Sequence, residues 1–199
     1  MSKINLYNLE DLRATVQEAR ERATRGKSGI GFKGEVWLSH KRDGKFLLNE
    51  EYQGKNILPT EGLNSLLDTA IGGASQIATW YLGLFKNNYT PISTNTAANS
   101  LGVGQYYGEC QDADYDTPAT NRNTYTVVAA SGGVLTNAAA PASFTMNASI
   151  PVYGAFIASS QAKTATTGKL LAAKLFSSGR SVVDSDVLLV TYQITASST

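Results

Sequence analysis

Asp112, Asp114 and Asp116 stand at alternate positions with Glu109 just upstream, the spacing with which a calcium-binding loop begins. Such a loop also needs glycine at position 117 and a bidentate glutamate at 123, where this chain has Thr117 and Asn123. Three carboxylates in a turn need no metal where water reaches them, so the expectation is a solvated acidic loop without a cation. Gly26-Lys27-Ser28 resembles the end of a P-loop, but Glu21 occupies the place of its first glycine and the residues before it have helical, not strand, periodicity. Gly102-Val103-Gly104 would need a third glycine at 107 to bind a dinucleotide, and Tyr107 is there.

His40 is the only histidine. It precedes Lys41 and Arg42 in a predicted hairpin loop, a surface position with no identifiable partner for general-base work. Cys110 lies between Glu109 and Asp112, an acidic setting that raises a thiol pKa and disfavours a nucleophile. No Cys–His pair or triad can be assembled, and spacing alone does not place two carboxylates across a sugar. The expectation is therefore no enzyme, no catalytic residue, no cofactor and no metal. Trp37, Trp80, Tyr81 and Phe85 sit in strand-like apolar runs and are expected in the core.

The elements that would position these groups divide the chain in two. Residues 1–55 carry 11 Lys/Arg and 8 Asp/Glu, whereas residues 56–199 carry 6 and 8. In the front part, Leu6, Leu9, Leu12, Val16 and Ala19 recur at three- and four-residue steps, which predicts a helix with one narrow apolar stripe. Asn8 is its plausible N-cap and Gly26 its stop. Two apolar runs, 35–39 and 45–49, flank Lys41-Arg42-Asp43-Gly44, which predicts a hairpin with a loop longer than two residues. Helix and hairpin together make an N-terminal arm, 1–55. A second helix is expected over 59–71, with Leu63, Leu66, Leu67, Ala70 and Ile71 as its apolar face and Gly72-Gly73 closing it.

Beyond Gly73 only strand signals recur, at 77–85, 106–110, 123–129, 143–150, 152–159, 170–176 and 187–195. The clearest is the last, where Leu188, Val190, Tyr192 and Ile194 alternate with Leu189, Thr191, Gln193 and Thr195. Residues 170–176 also fit one or two helical turns. About seven short strands bounded by Gly, Pro, Asn and Asp predict a mainly β body over 56–199, a jelly-roll-like antiparallel β-sandwich. One histidine, one cysteine and a net charge of +1 exclude a disulfide framework, a multi-cysteine metal site and a basic field for nucleic acid. The start of the chain has no apolar secretion signal and no run of about 18 apolar residues occurs, so neither a nucleic acid nor a membrane is an expected partner.

The densest cationic tract is Arg13, Arg20, Arg22, Arg25, Lys27 and Lys33. Interleaved with Glu18 and Glu21, it reads equally as a solvated helix face and as an arm lying across an acidic partner. On the second reading Arg13, Arg20, Arg22, Arg25, Lys41 and Arg42 are the candidate contacts.

From Gly54 onward the chain resembles small virion structural proteins of tailed bacteriophages. The likeness rests on Gly54-Lys55-Asn56 leading into Leu63-Asn64-Ser65-Leu66-Leu67-Asp68, on Trp80-Tyr81-Leu82-Gly83-Leu84-Phe85-Lys86-Asn87-Asn88, on Tyr153-Gly154-Ala155-Phe156-Ile157, on Thr167-Gly168-Lys169-Leu170-Leu171 with Phe176, and on Asp186 with Val190-Thr191-Tyr192. The resemblance implies a capsid decoration or cement protein with a jelly-roll core and brings no catalytic residue with it. Its implied partner is the major capsid protein, bound by a dimer or trimer on the outer capsid lattice of a virion made in the host cytoplasm. Weak contacts repeated by symmetry gain through multivalency. The competing class is a tail or head-fibre component, in which loops 87–99 and 112–121 carry receptor specificity. A third class, the major capsid subunit itself, needs a longer chain with less β structure.

Overall fold

Asp43 and Gly44 reverse the chain with φ of 51° and 73°. Two consecutive left-handed residues match the right-handed twist of the strands they join, so this is a two-residue turn, shorter than the loop expected from sequence. The strands it joins are β1 (Ile30–Arg42) and β2 (Lys45–Lys55). In the computed structural model, which describes residues 29–198, α1 (Thr60–Ala70) follows, then β3 (Tyr81–Phe85) and a four-residue helix α2 (Ala97–Ser100). The rest is β4 (Tyr115–Thr117), β5 (Asn123–Thr124), β6 (Val134–Thr136), β7 (Ala142–Met146), β8 (Ile150–Ala158), β9 (Leu170–Val182) and β10 (Val187–Ser198).

The larger sheet has the order β2-β1-β10-β7-β4, with β6 also on β10; the smaller is β5-β3-β8-β9. Between them lies one apolar core, to which Val36 and Leu38 of β1, Leu82 and Leu84 of β3, Ala155 and Ile157 of β8, Phe144 of β7, and Leu188, Val190, Tyr192 and Ile194 of β10 contribute. The expected mainly β sandwich, the short leading helix and the inward set of the last strand are therefore all present. The hairpin expected in the arm is paired into the larger sheet through β1, and Val36 and Leu38 are fully buried. The remainder of the expected arm, residues 1–28 with the first helix, lies outside the described residues.

The smaller sheet has a second, outer core. Phe85, Phe156, Ala158, Leu170 and Ala173 turn outward and are covered by Ala97, Leu101 and Tyr107 from the connection between β3 and β4. Two glycines make this layer close. Gly83 pairs with Phe156 and Gly154 with Phe85 across β3 and β8, and a Cβ at either glycine would lie 2.3 or 2.1 Å from the partner ring. Helix α1 docks through its small residues: Gly62 and Ser65 are buried, and a Cβ on Gly62 would lie 2.4 Å from the Leu171 carbonyl oxygen of β9. Glu61 fastens this corner by accepting hydrogen bonds from the Ala97 and Leu170 amides at 2.8 and 2.7 Å.

Close backbone docking also explains a difference from the sequence reading. Of the expected apolar face of α1, Leu66 packs on the core, but Leu67 and Ile71 are exposed, Ile71 by 79%. Residues 170–176 are strand, part of a β9 that continues to Val182. Three expected strands shrink or vanish. Residues 77–80 precede β3, β5 is only two residues long, and 106–110 is a series of turns with one bridge from Glu109 to Phe85. Those turns carry Tyr107 over Phe85, ring centroids 4.9 Å apart, which a straight strand would not do.

Candidate interaction surface

Glu109 and Arg122 are completely enclosed and form a two-pronged pair, Nε to Oε1 at 2.6 Å and Nη2 to Oε2 at 2.8 Å. Arg122 also donates to the Ser160 and Ala165 carbonyls, and Glu109 accepts the Gly102 amide at 2.8 Å. Burial pushes the Glu109 carboxyl above its ordinary pKa, opposed by the guanidinium. The pair thus ties three separate connections together, those between β3 and β4, β4 and β5, and β8 and β9.

Lys163 is likewise enclosed. Its ammonium donates to the Tyr115 carbonyl at 2.6 Å and to the Ala119 carbonyl, lies 3.3 Å from Asp112, and sits 3.6 Å from the centre of the Tyr115 ring. Burial lowers its pKa, and Asp112 opposes that. Asp114 is buried rather than solvated, accepting from the Gln111 amide and pairing with Lys86 at 2.7 Å. The acidic loop is therefore stitched by Lys86 and Lys163, and no cluster of three or more metal-ligating side chains occurs among the described residues. Cys110 is buried, and it is burial first, with Asp114 second, that drives its thiol pKa up.

His40 is not at the surface. Strand β1 continues through it, so its ring is buried at the seam with the β9–β10 turn, with Nε2 2.8 Å from Asp186 Oδ2. Arg42 grips the same carboxylate with Nε and Nη2, at 2.8 and 2.7 Å, and the Val183 amide adds a fourth contact. The Arg42 fork is the main cause that holds the Asp186 carboxyl well below the usual carboxylate range. Among the six candidate contacts, Arg13, Arg20, Arg22 and Arg25 lie outside the described residues. Arg42 is engaged internally rather than offered to a partner. Lys41 remains at the hairpin end, its ammonium 4.4 Å from the centre of the Phe46 ring.

What the hairpin exposes is apolar as well as basic. Phe46 and Leu47, immediately after the turn, are 48% and 52% exposed. β2 is also the last strand of the larger sheet among the described residues, and no described strand of that sheet pairs with its outer edge. Gln53 anchors its far end by accepting from the Ser177 amide and hydroxyl on β9. The free stretch is thus the one nearest the tip. Of the loops that a fibre component would use, 87–99 lies over the smaller sheet with Pro91, Asn95 and Ala97 buried and Asn87, Asn88 and Ile92 exposed, and 112–121 is held by Lys163.

Sequence reasoning singled out neither Arg122 nor Lys163. The only signal was that each is an isolated cation in a charge-poor body, where burial with a partner is the stable alternative to solvent. No described protein family, no curated protein and no solved structure matches the chain. No helix among the described residues is long and apolar enough to cross a membrane.

Proposed function

We propose that this chain is a structural subunit that attaches to a larger protein assembly, in the manner of a decoration protein on the outer surface of a bacteriophage capsid, with the hairpin tip as a contact. The observation that carries the reading is the tip itself, where Phe46 and Leu47 are held out beside Lys41 on a hairpin whose turn end is locked to the body by His40 and Arg42 on Asp186. A clamped tip that is apolar and cationic suits docking into a shell surface, because little conformational entropy is lost on contact. The Glu109–Arg122 pair supports the same reading, since it holds loops and is enclosed by protein.

The test is co-sedimentation of the full-length chain with undecorated capsids assembled from the shell protein of the same genome. Replacing Lys41 with Glu and Phe46 with Ser together is expected to abolish binding while leaving the fold intact, and binding by the parent is expected to weaken with salt. Full occupancy by the double variant would remove the tip from the interface. Truncating at Gly54 would not be a clean test, because it deletes β1 and with it Val36 and Leu38 from the core.

A further inference from the structure

The outer face of the larger sheet carries a group of side chains that neither the core nor the tip uses. Val36 and Leu38 point into the core, so Trp37 between them points out, and across the hairpin it faces Tyr52, its register partner. The two ring centroids are 5.4 Å apart with planes inclined by 49°. On β10 the same period that buries Val190, Tyr192 and Ile194 turns Thr191 and Gln193 to this outer face. Thr136 on β6 and Glu50 on β2 complete the rim, and Ala138, with no side chain beyond Cβ, leaves room beside them. Trp37, Glu50, Thr136, Ala138, Thr191 and Gln193 line one depression of about 210 Å³.

Its parts are held in place before any ligand arrives. Tyr52 is 46% exposed, and its hydroxyl donates to Glu35 at 2.9 Å; Glu35 is itself paired with Lys33 at 2.7 Å. Glu50 occupies a left-handed backbone position, φ 47°, with its amide donating to the Ser39 hydroxyl at 2.8 Å. That kink places the acidic residue at the rim of the depression beside the indole.

The chemistry of the lining selects a ligand class. The indole offers an apolar, electron-rich surface, and with it stand one carboxylate, two hydroxyls and one amide, with no cation among the described lining residues. A pyranose ring has the complementary character: a flat face of C–H groups that stacks on an aromatic ring, and equatorial hydroxyls that donate to a carboxylate and exchange hydrogen bonds with Thr and Gln. Glu50, with Glu35 nearby, disfavours an anionic sugar. The depression is smaller than the roughly 300–1,000 Å³ of a pocket that encloses a drug-sized ligand, so it holds one ring of a longer chain whose neighbours lie along the open sheet.

We propose that this depression is a binding subsite for a neutral glycan, with Trp37 as stacking platform and Glu50, Thr191, Gln193 and Thr136 as hydroxyl partners. The proposal is independent of the tip: capsid attachment can fail with the glycan site intact, and the reverse.

The experiment is titration of the full-length chain with maltohexaose, cellohexaose and chitohexaose, read by tryptophan fluorescence and by calorimetry. At least one hexasaccharide is expected to bind with Kd in roughly the 10 μM to 1 mM range, which one stacked ring and a few hydrogen bonds supply. Trp37→Ala is expected to weaken that binding about tenfold or more, and Trp80→Phe, on a residue packed against the core, to leave it unchanged. Glu50→Gln, an exposed position, is expected to weaken binding several-fold without altering the melting temperature, which separates loss of a ligand contact from loss of fold. Absence of binding by all three sugars at about 10 mM, or parental affinity in both Trp37→Ala and Glu50→Gln, would overturn the proposal. So would a dimer of the parent that Trp37→Ala dissociates, because the face would then belong to a second copy of the chain.

Discussion

The two sheets share one core and differ in the faces they turn away from it. On the smaller sheet that face is covered, so residues 154–158 of β8 are buried on both sides and rings lie directly over glycines. On the larger sheet β10 alternates buried and half-buried residues along most of its length, and Trp37, Thr191 and Gln193 stay in reach of solvent. A covered face constrains every side chain by volume, whereas an open face leaves side-chain type free to serve recognition. The difference also separates two kinds of charge: enclosed pairs such as Glu109–Arg122 hold the cover, and Glu50 stands at the rim of the open depression.

The strongest challenge to this contrast is to remove the clamp of the cover. Arg122→Ala leaves Glu109 enclosed without its partner and is expected to cost about 3–5 kcal/mol, with amide hydrogen exchange rising first in residues 89–109. A melting temperature within a degree or two of the parent would mean that the pair does not hold the cover. Next in size, Gly154→Ala drives a methyl group into Phe85 and is expected to cost about 1–3 kcal/mol by thermal unfolding.

Asp186→Asn tests the seam that fixes the hairpin. A carboxyl whose folded pKa is depressed adds stability that is fully present above its unfolded value, about 3.9, and is lost as pH falls through the folded value. The variant is therefore expected to be less stable than the parent by about 1–3 kcal/mol at pH 7, with the gap narrowing below about pH 4. A gap that stays constant down to pH 2 would show that the carboxylate charge is not what matters. The smallest effect is expected on the open face, where Thr191→Val should change stability by no more than about 0.5 kcal/mol by denaturant unfolding. A large loss there would mean that the face is packed against something, and the contrast between the sheets would fail.

Legibility in the sequence followed the same contrast. β10 was readable because one bare face imposes a two-residue alternation, and the inward set Leu188, Val190, Tyr192 and Ile194 is the buried one. Residues 170–176 were ambiguous between helix and strand because a strand buried on both faces carries no period. Helix α1 was found at nearly its full length, but its buried side was misassigned, since contact through Gly62 and Ser65 is invisible to a rule that looks for leucines. Tyr107 was placed in a strand, although its ring packs over Phe85 from a turn.

The sequence by itself determined the β-sandwich class, the position of the hairpin turn, the leading helix and the orientation of the last strand, because these rest on local propensity and period. Only the tertiary structure decided that His40 is buried against Asp186, 146 positions away, that Arg42 is engaged rather than free, and that Arg122 and Lys163 close over loops distant in the chain. Only it placed Trp37, Glu50, Thr136, Thr191 and Gln193 around one depression, since four strands supply or flank those residues and their adjacency is a matter of sheet order. The physical reason is range: a period is written into neighbouring residues, whereas pairing of charges and convergence of a binding face depend on which distant strands become neighbours.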